Sequence, residues 1–303
     1  MFFHRRRAER HCQEACSRAA AGTDLSQGFA SAFVTAQDGL TLHVRCYGSR
    51  HASAHSVVCL PGLARTAADF HPLATALAAD PASPRLVLAL DYRGHGQSQY
   101  DRNPKNYAIR VALADLSAVL AAFEITSTIF VGTSFGGVLA MMLAVLPPAA
   151  VAGVILNDIG PVMEPRGLIR NKSYVGKLPI ARNFEEGAEI LRWLFEAQFT
   201  KLAPEDWIAF AKRTWREDHG RLVPSHDPKL ARALRGLSLE RLPTLWDQFD
   251  ALAPIPLMVI RGANSDMLAR PTLNEMLARR GQLEVISSSC RIRVTRPCLL
   301  SPR

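Results

Sequence analysis

The sequence predicts an α/β protein built on a mostly parallel central sheet, and three observations carry that expectation. Short Val/Ile/Leu-rich runs alternate with amphipathic stretches of helical length. The later runs are continuously apolar, as strands are when helices cover both faces of a sheet. The alternation then stops between Gly160 and Ala251, where only helical patterns occur, and resumes afterwards.

The elements follow in order. "AFVTA" and "LTLHVRCYG" are β-rich and split by "QDG", a hairpin signal. "SVVCL" runs into Pro61-Gly62, "RLVLAL" ends at Asp91, "STIFV" at Gly132 and "VAGVILN" at Asp158. "IPLMVI" ends at Arg261-Gly262, and "LEVI" is the last run, which makes about eight strands. Helices are expected over Ala67–Ala79, Tyr107–Phe123, Phe135–Leu146 and Pro271–Arg280, with right-handed crossovers between parallel strands. The interrupting segment holds "FEEGAEILRWLFEAQF", "PEDWIAFAKRTW", "LERLPTLWDQF" and all four tryptophans. It is expected to be a helical cap over the carboxyl edge of the sheet, where open α/β sheets bind ligands. Trp193, Phe195, Phe199, Trp207 and Trp215 in it either line an apolar pocket or form the cap's own core.

The expected organisation is an extension over 1–29, a core over 30–160, a cap over 161–250, the core continued over 251–286, and a basic tail over 287–303. Formal charge is +9, but the tail brings four arginines and no acid, and the first thirty residues five arginines against three acids. The body is then only about +3, which argues against a nucleic-acid partner. Six cysteines without close pairing point to reduced thiols, and with no signal peptide and no run of eighteen apolar residues the expected location is cytoplasmic, off the membrane. No nucleotide loop or metal-ligand spacing appears, so no cofactor and no metal are expected. Oligomeric state is not legible.

The most informative stretch is "STIFVGTSFGGVLAMML". Gly132-Thr133-Ser134-Phe135-Gly136 fits G-x-S-x-G with a strand before it and an apolar helix after it. A serine on such a tight, strained turn projects its hydroxyl above the sheet, and the flanking glycines let strand and helix approach. The helix N-terminus then favours negative charge developing nearby. Two further blocks are Pro61-Gly62-Leu63 and "DYRGHGQS" from Asp91 to Ser98.

In this order and spacing the three blocks resemble the α/β-hydrolase superfamily, over about Ala30 to Ile286. The likeness is nearest the bacterial group of enol-lactonase-like, haloperoxidase-like and ring-cleavage-product hydrolases. One departure is Pro61-Gly62, where family members often carry His-Gly. The resemblance implies a serine hydrolase with Ser134 as nucleophile and the N–H groups of Leu63 and Phe135 as oxyanion donors. It makes the D-x-R-G-x-G block structural, so His95 reads as a loop histidine. Ser134, standing where an aspartate would, sets aside the dehalogenase and epoxide-hydrolase branches. In this fold the chain order is Ser, then Asp or Glu, then His. Asp266 in "PLMVIRGANSDML" matches the family's acid position, R-G-x-x-S-D; Asp158, ending the preceding strand, is the alternative.

A base should follow "LEVI", and none does: the nine histidines are His4, His11, His43, His51, His55, His71, His95, His219 and His226. The family's final helix is missing too, and "SSSCRIRVTRPCLLSPR" stands in its place. Read one base out of phase from Val294, codons for this tail can spell Gly-His-Ala-Pro-Leu-Leu-Thr-Glu-Pro-Glu, which resembles the family's G-H-x-P block. The expectation is a frame change in the gene. The substrate would be a small carboxylic ester, lactone or related acyl or C–C compound cleaved through an acyl-enzyme, with activity impaired by the absent histidine. The alternative is a non-catalytic member of the fold that binds a small ligand or a protein partner.

Overall fold

The fold is taken from a computed structural model, which describes residues 28–50, 52, 54–145, 151–235, 242–280 and 283–288. Strands β1 (Ala30–Thr35) and β2 (Thr41–Tyr47) form the expected hairpin, paired from Ala30↔Cys46 to Thr35↔Thr41. There follow β3 (Ser56–Leu60), helix α1 (His71–Ala78) behind a 3-10 turn at Ala67–Phe70, and β4 (Val87–Asp91). Helix α2 (Ile109–Ala122), β5 (Thr128–Thr133), α3 (Phe135–Leu143) and β6 (Val151–Asn157) complete the first half. The chain returns to the sheet with β9 (Leu257–Gly262), α9 (Arg270–Arg279) and β10 (Glu284–Ser288). Strand order is β1-β2-β4-β3-β5-β6-β9-β10, and β2 is antiparallel to both its neighbours while β4 through β10 run parallel. This is the eight-stranded, mostly parallel sheet expected from the sequence.

Both faces of the sheet are covered, which explains the uninterrupted apolar runs. Val58, Leu60, Phe130, Leu257 and Val259 face one cluster with Leu116, Leu139, Phe249 and Met276. Their chain neighbours Val57, Cys59, Ile129, Val131 and Met258 face the opposite cluster with Ala67, Phe70 and Ala74. On that second face Ala152, Ile260 and Ile286 are only half-buried.

Between β6 and β9 lie α4 (Pro165–Tyr174), α5 (Phe184–Phe195), α6 (Pro204–Thr214), a hairpin of β7 (Trp215–Asp218) and β8 (Arg221–Pro224), α7 (Leu230–Arg235) and α8 (Trp246–Asp250). The hairpin corrects the reading of this stretch as free of strands. Its turn places His219 and Gly220 at φ 48° and 75°. Two central residues at positive φ match the twist of paired strands, so "DHGR" was a hairpin signal lying inside a helical pattern. Trp215, read as the end of a helix, starts β7 and is 2% exposed. Phe195, Trp207 and Trp215 form this segment's own core with Tyr174, Leu191 and Leu222. Trp193 instead is 79% exposed and lines a 440 Å³ depression with Tyr174, Leu178 and Ile190, away from Ser134.

Ahead of β1, the Phe29 ring packs 5.6 Å from the Tyr47 ring, with the Arg45 guanidinium 4.3 Å from the Phe29 centroid. The basic tail beyond Ser288, its proposed frame change and Cys290 and Cys298 lie outside the described residues, as do Cys12 and Cys16. Cys46 and Cys59 form no disulfide among the described residues. No helix among the described residues is long and apolar enough to cross a membrane.

Candidate active site

Adjacent strands β3, β5 and β6 leave the sheet at its carboxyl edge through non-glycine residues at positive φ: Ala64 at 59°, Ser134 at 49° and Asp158 at 55°. Such conformations cost of order 1–3 kcal/mol each and persist only where their surroundings enforce them. The enforcement at Ser134 is visible. Its N–H donates to the Asn157 carbonyl at 3.1 Å, tying the turn to the end of β6. Asn157 Nδ2 returns a bond to Thr133 Oγ1 at 3.0 Å. A Cβ on Gly136 would overlap the Leu60 carbonyl, and one on Gly132 would lie 2.5 Å from Gly137 N. The two glycines of the motif are therefore packing requirements of the β3–β5–α3 junction.

The Pro61–Ala64 turn lies beside this serine: a Cβ on Gly62 would sit 3.8 Å from Ser134 Cβ. Among the described residues neither Leu63 N–H nor Phe135 N–H has a hydrogen-bond partner. Phe135 is the first residue of α3, where backbone donors are left over by the helix geometry. His95 fixes the turn from below. Its Nε2 accepts from Ala64 N–H at 3.1 Å, and its Nδ1 donates to the Arg93 carbonyl at 2.9 Å. Burial holds its pKa down, which keeps this neutral tautomer. Both ring nitrogens are occupied, as expected for a loop histidine.

The D-x-R-G-x-G block is structural in a specific way. Asp91 receives His43 Nδ1 at 2.7 Å, Ala67 N–H at 2.7 Å and Gln97 N–H at 3.1 Å. Arg93 is 3% exposed and pairs with Asp38, Asp101 and Asp115.

Asp266 sits in the loop after β9, which the motif around it ties down. Arg261 donates to the carbonyls of Leu268 and Gly262 at 2.8 and 2.9 Å, and Ser265 Oγ accepts from Leu268 N–H at 3.0 Å. The start of α4 docks on the same loop, Gly167 N–H donating to the Asp266 carbonyl at 3.0 Å. The Asp266 carboxylate is held by Arg170 through two bonds of 2.7 and 2.8 Å and by Gln198 Nε2 at 3.3 Å. The Gln198 amide orientation follows from that contact, and its Oε1 is buried with no partner among the described residues. Asp158, the alternative acid, accepts from Gly262 N–H at 3.0 Å. Burial, reinforced by the charge of Asp266, raises its pKa.

Arg170, Gln198 and the His95–Ala64 contact were not read from the sequence. They join residues far apart in the chain, and no local pattern announces them. Among the described residues no histidine hydrogen-bonds Ser134 or Asp266. His226, the other histidine close to the edge, accepts from Gly176 N–H through Nε2 at 3.1 Å, and its Nδ1 is buried without a partner.

A strained serine between strand and helix, two backbone N–H groups without partners among the described residues and a clamped aspartate after β9 make up the candidate site at the carboxyl edge of the sheet. The chain belongs to the Alpha/beta hydrolase family, which residues 57–290 match. It is 34% identical over 237 residues to a 3-hydroxybutyrate-oligomer hydrolase of Cupriavidus necator, covering 75% of this chain and 78% of that protein. An esterase of Mycobacterium tuberculosis is 27% identical over 201 residues, 64% of this chain and 63% of that protein. Among solved structures, an alpha/beta hydrolase from Novosphingobium aromaticivorans superposes with a TM-score of 0.79 at 35% identity, covering 86% of this chain and 90% of that one.

Proposed function

We propose that the protein is a serine hydrolase of small carboxylic esters, with short oligomers of a hydroxy acid as the preferred substrate class. The observation that carries the reading is Ser134 at φ 49°, on a turn that its neighbours force into shape, with the Leu63 and Phe135 N–H groups unused beside it. The 34% identity to a hydroxybutyrate-oligomer hydrolase supports the choice of ester.

In this reading Ser134 Oγ attacks the ester carbonyl, and its proton passes through a base to the departing alkoxide. The two N–H groups hold the oxyanion. Water then cleaves the acyl-enzyme by the reverse proton route. Asp266 orients the base, in preference to Asp158, because the Arg261–Ser265 loop fixes it at the end of β9. Residues 30–160 and 251–286 form the catalytic core and 161–250 a cap. No histidine follows Asp266 in the sequence, so turnover is impaired in the chain as written. The partner is a small molecule, the place of action the cytoplasm.

One observation favours a second reading, a ligand-binding relative without turnover: among the described residues the Asp266 carboxylate is held by Arg170 and Gln198 and by no histidine. Reaction of the purified protein with nitrophenyl esters, beside a Ser134→Ala control, separates the two. Ester cleavage lost in Ser134→Ala supports the hydrolase; cleavage equal in both proteins removes Ser134 from the chemistry.

A further inference from the structure

We propose that Arg65 and Arg213, which share the single carboxylate of Asp69 beside the Pro61–Ala64 turn, bind a free carboxylate on the leaving-group side of the substrate. This rests on the hydrolase reading and narrows it to esters that are themselves acids.

The placement comes first. Arg65 Cγ and Ser134 Cβ lie 3.5 and 3.8 Å from one point, the position of a Cβ on Gly62. The Arg65 side chain therefore starts at the serine's shoulder. It then runs toward α6, where Nη1 donates to Thr214 Oγ1 at 2.7 Å and the guanidinium lies 4.5 Å from the Phe210 ring centroid. Arg213, one turn from Phe210 on the same helix, lies 5.9 Å from that ring centroid.

Arg65 pairs with Asp69, its Nε reaching Oδ2 at 2.6 Å, and Arg213 Nε reaches Asp69 Oδ1 at 3.2 Å. No other carboxylate pairs with either guanidinium among the described residues. Two fixed positive charges thus face one negative charge. By contrast, Arg170 and Asp266 stand in a one-to-one pair. Arg213 is about one-third exposed, so a ligand entering between helix and turn can reach the edge of its fork. A guanidinium presents paired donors that match a carboxylate, and here the partner charge it lacks is one anion.

The substrate chemistry supplies the anion. In an oligomer of a 3-hydroxy acid, a two-carbon bridge separates the terminal carboxylate from the oxygen of the last ester bond. With that ester carbonyl at Ser134, the proposal places the carboxylate on the Arg65 side, where the Arg65 stem lies beside the serine. The charge also sits on the product that leaves first, so it selects the leaving group and not the acyl group.

The test is calorimetric titration of the full-length Ser134→Ala protein, which binds without cleaving, with the linear dimer of 3-hydroxybutyrate and with its methyl ester. At low salt the free acid should bind about tenfold or more tightly than the methyl ester. That preference should narrow as salt rises. In the Ser134→Ala protein carrying Arg213→Gln it should collapse toward unity, and Arg213→Lys should keep part of it. Asp69→Asn should raise affinity for the acid, because both forks lose the one carboxylate that pairs with them among the described residues. Equal affinity for acid and methyl ester would overturn the inference while leaving the ester-hydrolase reading standing, as would a preference untouched by Arg213→Gln. Failure of both compounds to bind would overturn the hydroxy-acid reading and the inference with it.

Discussion

The two candidate site residues, Ser134 and Asp266, are positioned by opposite means. Ser134 is positioned almost entirely by backbone: a turn at positive φ, two glycines that admit the Leu60 carbonyl and Gly137, and a bond to the Asn157 carbonyl. Asp266 is positioned by side chains from elsewhere, Arg170 on α4 and Gln198 after α5, with Arg261 and Ser265 shaping its loop. Backbone devices are contiguous and fail all at once. Side-chain clamps are distributed and fail by degrees. The difference predicts a graded series of effects.

The largest concerns the base. Expressing the protein with its ending read in the shifted frame from Val294 should raise ester turnover by orders of magnitude, since loss of the base from a comparable triad costs about 10⁶ in kcat. The same change should raise the thermal midpoint if the restored segment covers Ile260 and Ile286, which are half-buried now. Equal rates and equal midpoints for the two endings would show that a base is already supplied.

Next comes the serine turn. Gly136→Val should prevent stable folding, because its side chain would have to displace the Leu60 carbonyl at the end of the interior strand β3. Expression with an unchanged thermal midpoint would mean that the junction is looser than the contacts indicate. On the acid side, Arg170→Gln should be milder, destabilising by about 1–3 kcal/mol through loss of two charge-assisted bonds to a part-exposed carboxylate. Chemical denaturation of the two proteins measures it.

The last effect is a pH dependence. Burial pushes the His226 pKa down to about 3 from 6.5. A depressed folded-state pKa means that the unfolded chain takes up the proton first. The stability it contributes is complete above pH 6.5 and is lost as pH falls from there toward 3. His226→Gln, which can still accept from Gly176 N–H, should flatten the decline of the thermal midpoint across that window. An unchanged slope would assign acid sensitivity to other groups.

Much of this was legible in the sequence, for a physical reason. Strand runs, the G-x-S-x-G turn and R-G-x-x-S-D each encode local backbone events, so the eight strands and the positions of Ser134, Leu63, Phe135 and Asp266 at the carboxyl edge could be read from neighbours in the chain. The β7–β8 hairpin was missed because its four-residue strands follow a helix directly and their turn residues sit among charged ones. Arg170 on Asp266 and His95 on Ala64 span 96 and 31 residues. Pairings at that separation depend on how the helices after β6 seat on the sheet, which no window of sequence contains. The Arg65–Asp69 pair has helical i,i+4 spacing and could have been read; the claim of Arg213 on the same carboxylate could not.

The proposed function requires Ser134 to be the reacting group of a preformed site. Incubation with a fluorophosphonate, followed by peptide mass spectrometry, tests it most directly. The expected result is a single adduct on Ser134, slow in the chain as written, and none anywhere on the Ser134→Ala protein. An adduct on a different residue, or no adduct on Ser134 after prolonged exposure, would contradict it.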